Sequence, residues 1–258
     1  MNSHIANRVP RTRRTPVVWV AAILCLFLLT FAAYRGWRAY RIQQLISELD
    51  WANDRDPRDR ESASAELVKI GLPAVKPLIA SLRDSRSEVR TRVLGTLVKI
   101  GEPAVGPLIS TMREEEGKPA VGNIGFLTQK ALIEIGGPSV RPLAGLLEDP
   151  SENLRMEAIA ALGQMKDPSA TAALIAALKS PDAGVRSRAA FGLGKTKDTH
   201  GVEPLIAALQ DAEPGVRQQA AFALGQMDDP RKIEALTAVL DDPDPTVRAA
   251  ASNALQRK

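Results

Sequence analysis

Cysteine is nearly absent from this 258-residue chain: Cys25 stands alone, inside an apolar stretch. One thiol can build neither a disulfide framework nor a cysteine-based zinc site. Histidine is almost as scarce, and only His200 lies beyond residue 41. Nucleophile–His–acid catalysis needs a His within reach of a Ser or Cys, and His200 falls in a turn between helical patterns, so it is expected to be an exposed turn residue. The chain has no G-x-x-x-x-G-K-[ST] phosphate loop, no G-x-G-x-x-G behind a strand and no His pair for zinc. No segment alternates apolar and polar residues with a period of two, which excludes a sheet. Aromatic residues make up 4% of the chain, so Ala and Leu must fill the core. That composition suits thin helices in close layers. The sequence therefore predicts an all-α protein with no catalytic residues, no metal and no cofactor.

Acidic residues are missing from residues 1–41, which carry seven Arg. Setting those aside leaves 27 Lys and Arg against 30 Asp and Glu, a balance of −3 over residues 42–258. The formal net charge of +4 thus belongs to the N-terminal segment. A nucleic-acid partner is not expected, because binding one requires a basic face to neutralise phosphates.

Residues 17–34 form an uncharged run, VVWVAAILCLFLLTFAAY. At ~1.5 Å per residue it would extend roughly 27 Å, near the ~30 Å hydrocarbon core of a bilayer. Trp19 and Tyr34 lie near its ends, and Arg14 and Arg35 close it. The expectation is a single-pass signal anchor behind a basic tail of residues 1–16. A cleaved signal peptide is the alternative, with Thr30-Phe31-Ala32 as its cleavage site. Four Arg precede the run and three follow it, so the positive-inside rule predicts a cytoplasmic N-terminus and an external repeat domain. Residues 35–55 are read as a juxtamembrane helix and half-repeat cap, because Ile42, Leu45, Ile46 and Leu49 share one helical stripe.

Beyond the cap, the chain repeats itself. Val185-Arg186 returns 31 residues on as Val216-Arg217 and again as Val247-Arg248, and 31 residues back stands Leu154-Arg155. A fixed period in this range marks a stacked helical array. One helix of each unit carries P-L-I-x-x-L, as at Leu78-Ile79 and Leu205-Ile206. The other carries an apolar stripe at positions 0, +4 and +8, as in Val185/Ala189/Leu193 and Val216/Ala220/Leu224. Asp-Pro pairs predict helix starts, and Gly71, Gly101 and Gly136 predict helix ends. Residues 56–258 are expected to hold about six such helix pairs.

An Asp stands six residues before the Arg in Asp54/Arg60, Asp84/Arg90, Asp149/Arg155, Asp211/Arg217 and Asp242/Arg248, while Ser180 precedes Arg186. A residue that recurs once per repeat is explained by repeat geometry. These pairs are therefore expected to form a structural ladder, each Arg fork bonding a carboxylate or turn carbonyls of its own or the next unit.

The V-R-x-x-A-x-x-A-L-G-like and P-L-I-x-x-L segments, with an Asp six before the Arg, resemble the HEAT-repeat family. The 31-residue form is similar to the short HEAT-like repeats first associated with phycobilin lyases. The resemblance spans residues 42–258 and is strongest over 149–258. It implies a right-handed α-solenoid whose V-R helices line the concave face. It does not imply lyase activity, since one fold hosts many functions. An enzymatic branch of such proteins, deoxyhypusine hydroxylase, binds iron through paired His-Glu motifs, and this chain has none.

The third unit is irregular. Gly101 to Gly136 spans five residues more than Gly71 to Gly101, the extra length falling in Arg113–Gly122, and Gly125 stands where the Arg belongs. Glu114, Glu115 and Glu116 are either a solvated loop or a contact for a basic partner.

Positions +2, +3 and +6 of the V-R helix point away from the buried stripe. Met156, Glu157, Arg188, Phe191, Gln218, Gln219, Phe222 and Asn253 occupy them and are the candidate partner-binding residues. The function expected is a membrane-anchored scaffold that binds a protein or peptide in its concave groove. The alternative is an enzyme accessory or chromophore-lyase-like protein.

Overall fold

The computed structural model describes residues 15–49, 57–117 and 124–257. Among them there are fourteen α-helices and no strand. A long first helix, α1 (Thr15–Glu48), is followed by six helix pairs. The first helices of the pairs are α2 (Pro57–Ile70), α4 (Ser87–Ile100), α6 (Ile124–Ile135), α8 (Glu152–Gln164), α10 (Ala183–Thr196) and α12 (Pro214–Leu224). Their partners are α3 (Leu72–Ser81), α5 (Glu102–Glu115), α7 (Gly137–Ala144), α9 (Pro168–Ala177), α11 (Val202–Ala208) and α13 (Arg231–Ala238). A last helix, α14 (Pro245–Leu255), closes the array.

Each even-numbered helix rests on the next even-numbered one, α2 on α4 through to α12 on α14. The odd-numbered helices follow one another in a second layer, with the short turn at Thr199–Gly201 standing between α9 and α11, and every pair closes on itself. The result is an α-solenoid. Its core lies between the layers, where the stripe positions Val93, Ala158, Ala189, Ala220 and Ala251 are fully buried, as are Leu78, Leu108, Leu143, Leu174, Leu205 and Leu236 of the facing layer. Burial of this apolar surface, at ~25 cal/mol per Å2, holds each unit to its neighbours.

Gly71, Gly101 and Gly136 adopt φ of 69°, 73° and 75°. Each N–H closes the preceding helix on the carbonyl four residues back, and Pro follows two positions on, at the start of the next helix. Positive φ is a conformation that side chains with a Cβ resist, which explains glycine at these junctions.

Helix starts differ from the Asp-Pro expectation in one respect. Asp167-Pro168 does begin a helix, with Asp167 accepting from the Ser169 N–H at 2.8 Å. Asp149, Ser180 and Asp242 instead accept from the N–H two residues on, and the helix begins just beyond, capped by Ser151, Asp182 and Asp244. The first polar residue organises the turn, and a second takes the N-cap. At Asp229-Pro230 the start is likewise deferred, to Arg231.

The N-terminal expectation requires correction. Among the described residues no helix is long and apolar enough to cross a membrane. Helix α1 runs without a break from the apolar run into Arg35, Arg38 and Arg41. The transmembrane helix is therefore withdrawn, and with it the single-pass orientation that placed the repeat domain outside. Most of the basic tail (residues 1–14) lies outside the described residues, as do residues 50–56, including Asp54. The end of α1 caps the array: Ile42, Leu45, Ile46 and Leu49 are buried, and Arg41 forms a fork on the Glu66 carboxylate with its closer bond at 2.7 Å.

Candidate functional site

The face of α8, α10, α12 and α14 that points away from the core is built by close helix approach. A Cβ placed on Gly194 would lie 2.9 Å from the Ala223 Cα, and one on Gly225 would lie 2.7 Å from the Ala254 Cβ. Glycine at these two positions lets one backbone rest directly on the next helix. No such contact exists at Gly95 in α4 or Gly106 in α5, where a Cβ would meet nothing. Close spacing brings register-equivalent side chains of successive helices together on the outer face.

Phe191 of α10 and Phe222 of α12 are stacked, with ring centroids 6.2 Å apart and planes 15° from parallel. Both are half-buried, so they pack on each other and still form part of the surface. Lys195 Nζ lies 5.1 Å from the Phe191 ring centre, and the Arg257 guanidinium lies 5.3 Å from that of Phe222. A cation over an aromatic face is attracted by the ring quadrupole. Gln218 and Gln219 of α12 and Asn253 of α14 border the rings, and with them line a groove of about 750 Å3. A second groove continues toward α8 past Met156, Ser187 and Arg188.

Arg188 spans that continuation. Its Nε lies 2.9 Å from the Met156 sulfur, and its fork meets the Glu152 carboxylate. Met156 is 43% exposed. Glu157 is set apart from this row: its carboxyl is pushed up from the usual range, first by burial and then by the nearby Glu116 charge. Its backbone carbonyl accepts from the Gln129 side chain at 2.8 Å.

The ladder residues sit at the turns between units. Arg90, Arg155, Arg186, Arg217 and Arg248 each donate through one nitrogen to the backbone carbonyls six and five residues earlier, at 2.7–3.1 Å. Two of them also reach the next unit. Arg186 makes a bidentate pair with Asp211 at 2.7 and 2.8 Å, and Arg217 makes one with Asp242 at 2.8 and 2.9 Å. These forks hold both carboxyls below their ordinary range against the opposing effect of burial. Arg60 lies half-buried in α2. Asp84 instead pairs with Arg86, whose bonds lower its pKa to about 2. Arg155 would reach position 180, where Ser replaces the acid, and its buried Nε has no hydrogen-bond partner.

The irregular unit supplies its own substitute. Arg113, at the end of α5, lies 2.6 Å from the buried carboxylate of Asp149, which the Arg missing at Gly125 would otherwise reach. Glu115 pairs with Arg83 at 2.7 Å, and Glu116 meets the Ser151 hydroxyl. Two of the three acids suggested as contacts for a basic partner are thus engaged within the chain. The remainder of the insertion, residues 118–122, lies outside the described residues.

Three residues of this face escaped the sequence reading. Lys195 and Arg257 stand at +10 of the repeat; Lys195 is also four residues after Phe191, a spacing that places it on the same face. Phe126, 56% exposed, occupies +2 of α6 as Met156 does in α8.

His200 is 83% exposed in a single 3-10 turn (Thr199–Gly201), its ring 2.7 Å from Asp198. Among the described residues no three His, Cys, Asp or Glu side chains are grouped to hold a metal ion.

The match to known proteins agrees with this architecture. The family model described as HEAT repeats matches residues 128–186 and 171–256, together half of the chain. The chain belongs to the HEAT-repeat family. No curated protein matches it. Among solved structures, human deoxyhypusine hydroxylase in complex with glycerol is 22% identical, with 86% of this chain and 98% of that one covered and a TM-score of 0.42. The CpcE–CpcF complex of phycocyanin lyase from Nostoc sp. PCC7120 is 24% identical over 58% of this chain and 97% of that one, with a TM-score of 0.46. A designed armadillo repeat protein in complex with the peptide (KR)4 is 19% identical over 83% and 98%, at 0.38. At such values these likenesses bear on neither activity nor partner.

Proposed function

We propose that this HEAT-repeat protein is a scaffold that binds an extended protein segment along the face of α8, α10, α12 and α14, with no catalysis of its own. The observation that carries this reading is the Phe191–Phe222 stack, a half-exposed aromatic pair in an open groove lined by the amides of Gln218, Gln219, Asn253 and Gln256. Aromatic anchors supply most of the energy of such contacts. Amides offer both a donor and an acceptor, which suits the backbone of a bound segment. The close helix approach at Gly194 and Gly225 supports reading this side as the inner, concave one.

The test is to replace both rings, F191S/F222S, and to measure partner capture together with thermal unfolding. A scaffold role predicts loss of capture with a cooperative melt retained. A variant that keeps full capture would end this reading.

The alternative of a lyase-like or accessory enzyme is the weaker reading, because among the described residues no His, Cys and acid converge on this face. Turnover of any substrate by the purified chain would revive it.

A further inference from the structure

The groove carries a charge pattern as well as a shape. Lys195 and Arg257 lie over the two stacked rings, and neither has an ion-pair partner among the described residues. The other cation of the face, Arg188, is already neutralised by Glu152. No acidic side chain lines the groove between Phe191 and Arg257. The aromatic anchor is thus flanked by two uncompensated positive charges and bordered by neutral amides, in a repeat domain whose overall balance is negative. Given the ring distances, the two cations are no farther apart than about 17 Å, a length that roughly five extended residues cover.

From this juxtaposition we infer that the segment bound here is acidic: an extended peptide with one or two apolar residues seated on the Phe191–Phe222 stack and a carboxylate on either side, facing Lys195 and Arg257. The inference rests on the scaffold reading above and adds the chemistry of the partner. Each cation can meet a carboxylate and keep its place near a ring face. The amides of Gln218, Gln219 and Asn253 are free to bond the peptide backbone between the anchors. A single-stranded nucleic acid also uses cations and aromatic rings, but it needs open ring faces for its bases. Here the rings stack on each other beneath the two cations.

The experiment uses the full chain and fluorescence anisotropy. The probe is a labelled nine-residue peptide, Gly-Glu-Ser-Leu-Leu-Ser-Glu-Ser-Gly, compared with versions carrying Gln or Lys in place of both Glu, and with a labelled oligo-dT of similar length. The expected order of affinity is Glu over Gln over Lys, with at least a tenfold gap between the first and the last, narrowing as salt is raised. The surface variant K195Q/R257Q should remove most of that gap and leave the melting temperature unchanged.

If the Gln and Lys peptides bind as well as the acidic one, and F191S/F222S weakens all three, the groove reading stands and the acidic partner is overturned. If no peptide binds, or F191S/F222S weakens none, the groove reading falls with it. Oligo-dT binding that displaces the acidic peptide overturns the proposal in favour of a nucleic-acid site.

Discussion

Arg155 and Arg186 occupy the same place in successive units and differ in one partner. Both close the preceding turn by donating to its carbonyls, but only Arg186 reaches an acid in the next unit. Ser180 keeps the turn, accepting from the Asp182 N–H at 3.2 Å, and gives up the rung. S180D should supply the carboxylate to a guanidinium already held in place. The expected gain is about 1 kcal/mol, read as a rise of roughly 2–4 °C in melting temperature. S180N, which preserves the turn acceptor without the charge, should give little of it, and a flat result for S180D would show that Arg155 is not aimed at position 180.

The intact rungs set the acid response. Asp211 and Asp242 have folded pKa values below the ordinary 3.8 because Arg186 and Arg217 favour their charged forms. A depressed carboxyl contributes stability that is present above its unfolded pKa and lost as pH falls through the folded value. The melting temperature should therefore be level from neutrality to about pH 5 and fall below about pH 4. R186Q/R217Q should start lower at pH 7 and fall less steeply, and an equal slope in variant and parent would remove these rungs from the acid response. Glu157 runs the other way. Burial raises its carboxyl, so its contribution is present at low pH and is lost as pH rises through the folded value.

At the scale of helices, spacing depends on single atoms. Gly225 has an ordinary helical φ of −64°, so its value is not conformational. Its missing Cβ lets α12 rest on α14. G225A forces a methyl group into a 2.7 Å approach and should destabilise by about 1–3 kcal/mol. G95A, in the same layer but with nothing near its Cβ, should be neutral or stabilise by about 0.5–1 kcal/mol, since alanine is the better helix former. Denaturant unfolding of the two variants separates the effects, and equal shifts would show that close approach is not the constraint.

Helix content was largely legible in the sequence, because a period of 3.6 acts in every helix and a period near 31 recurs through the later units. Helix starts were less so. At Asp149 and Asp242 the Asp-Pro pair reads as a cap, but the acid has a second task, as turn acceptor for the next N–H. The rung made by Arg113 was not legible at all. It joins residues 36 apart across an insertion, outside any repeat register. On the groove face, Phe191 and Phe222 stood out as register equivalents. Lys195 and Arg257 did not, because their meaning depends on the rings beneath them.

At the scale of the molecule, the array is nearly one-dimensional, and each unit is stabilised by its neighbours. Its N-terminal face is covered by the end of α1, where Leu45 and Leu49 are almost fully buried. Residues 15–34 of the same helix present Ile23, Leu26, Phe27 and Leu29 outward, each more than 60% exposed. A chain beginning at residue 35 should keep its helicity and melt cooperatively. A chain beginning at residue 57 lacks the cap, and should melt at lower temperature and aggregate as the first unit's apolar face opens. Circular dichroism with light scattering distinguishes the two, and identical melts would mean that α1 does not act as a cap.

The empty place opposite Arg155 also sets how the molecule bears load. Pull the two ends apart, and force passes from unit to unit through whatever ties successive turns. Between α10 and α14 the ties include two bidentate forks in series. At the α8–α10 step that bidentate tie is missing, and the Arg188–Glu152 pair and helix contact resist instead. The array is thus a spring of uneven stiffness. The half joined by the two forks, which carries Phe191 and Phe222, keeps its shape while the rest gives way.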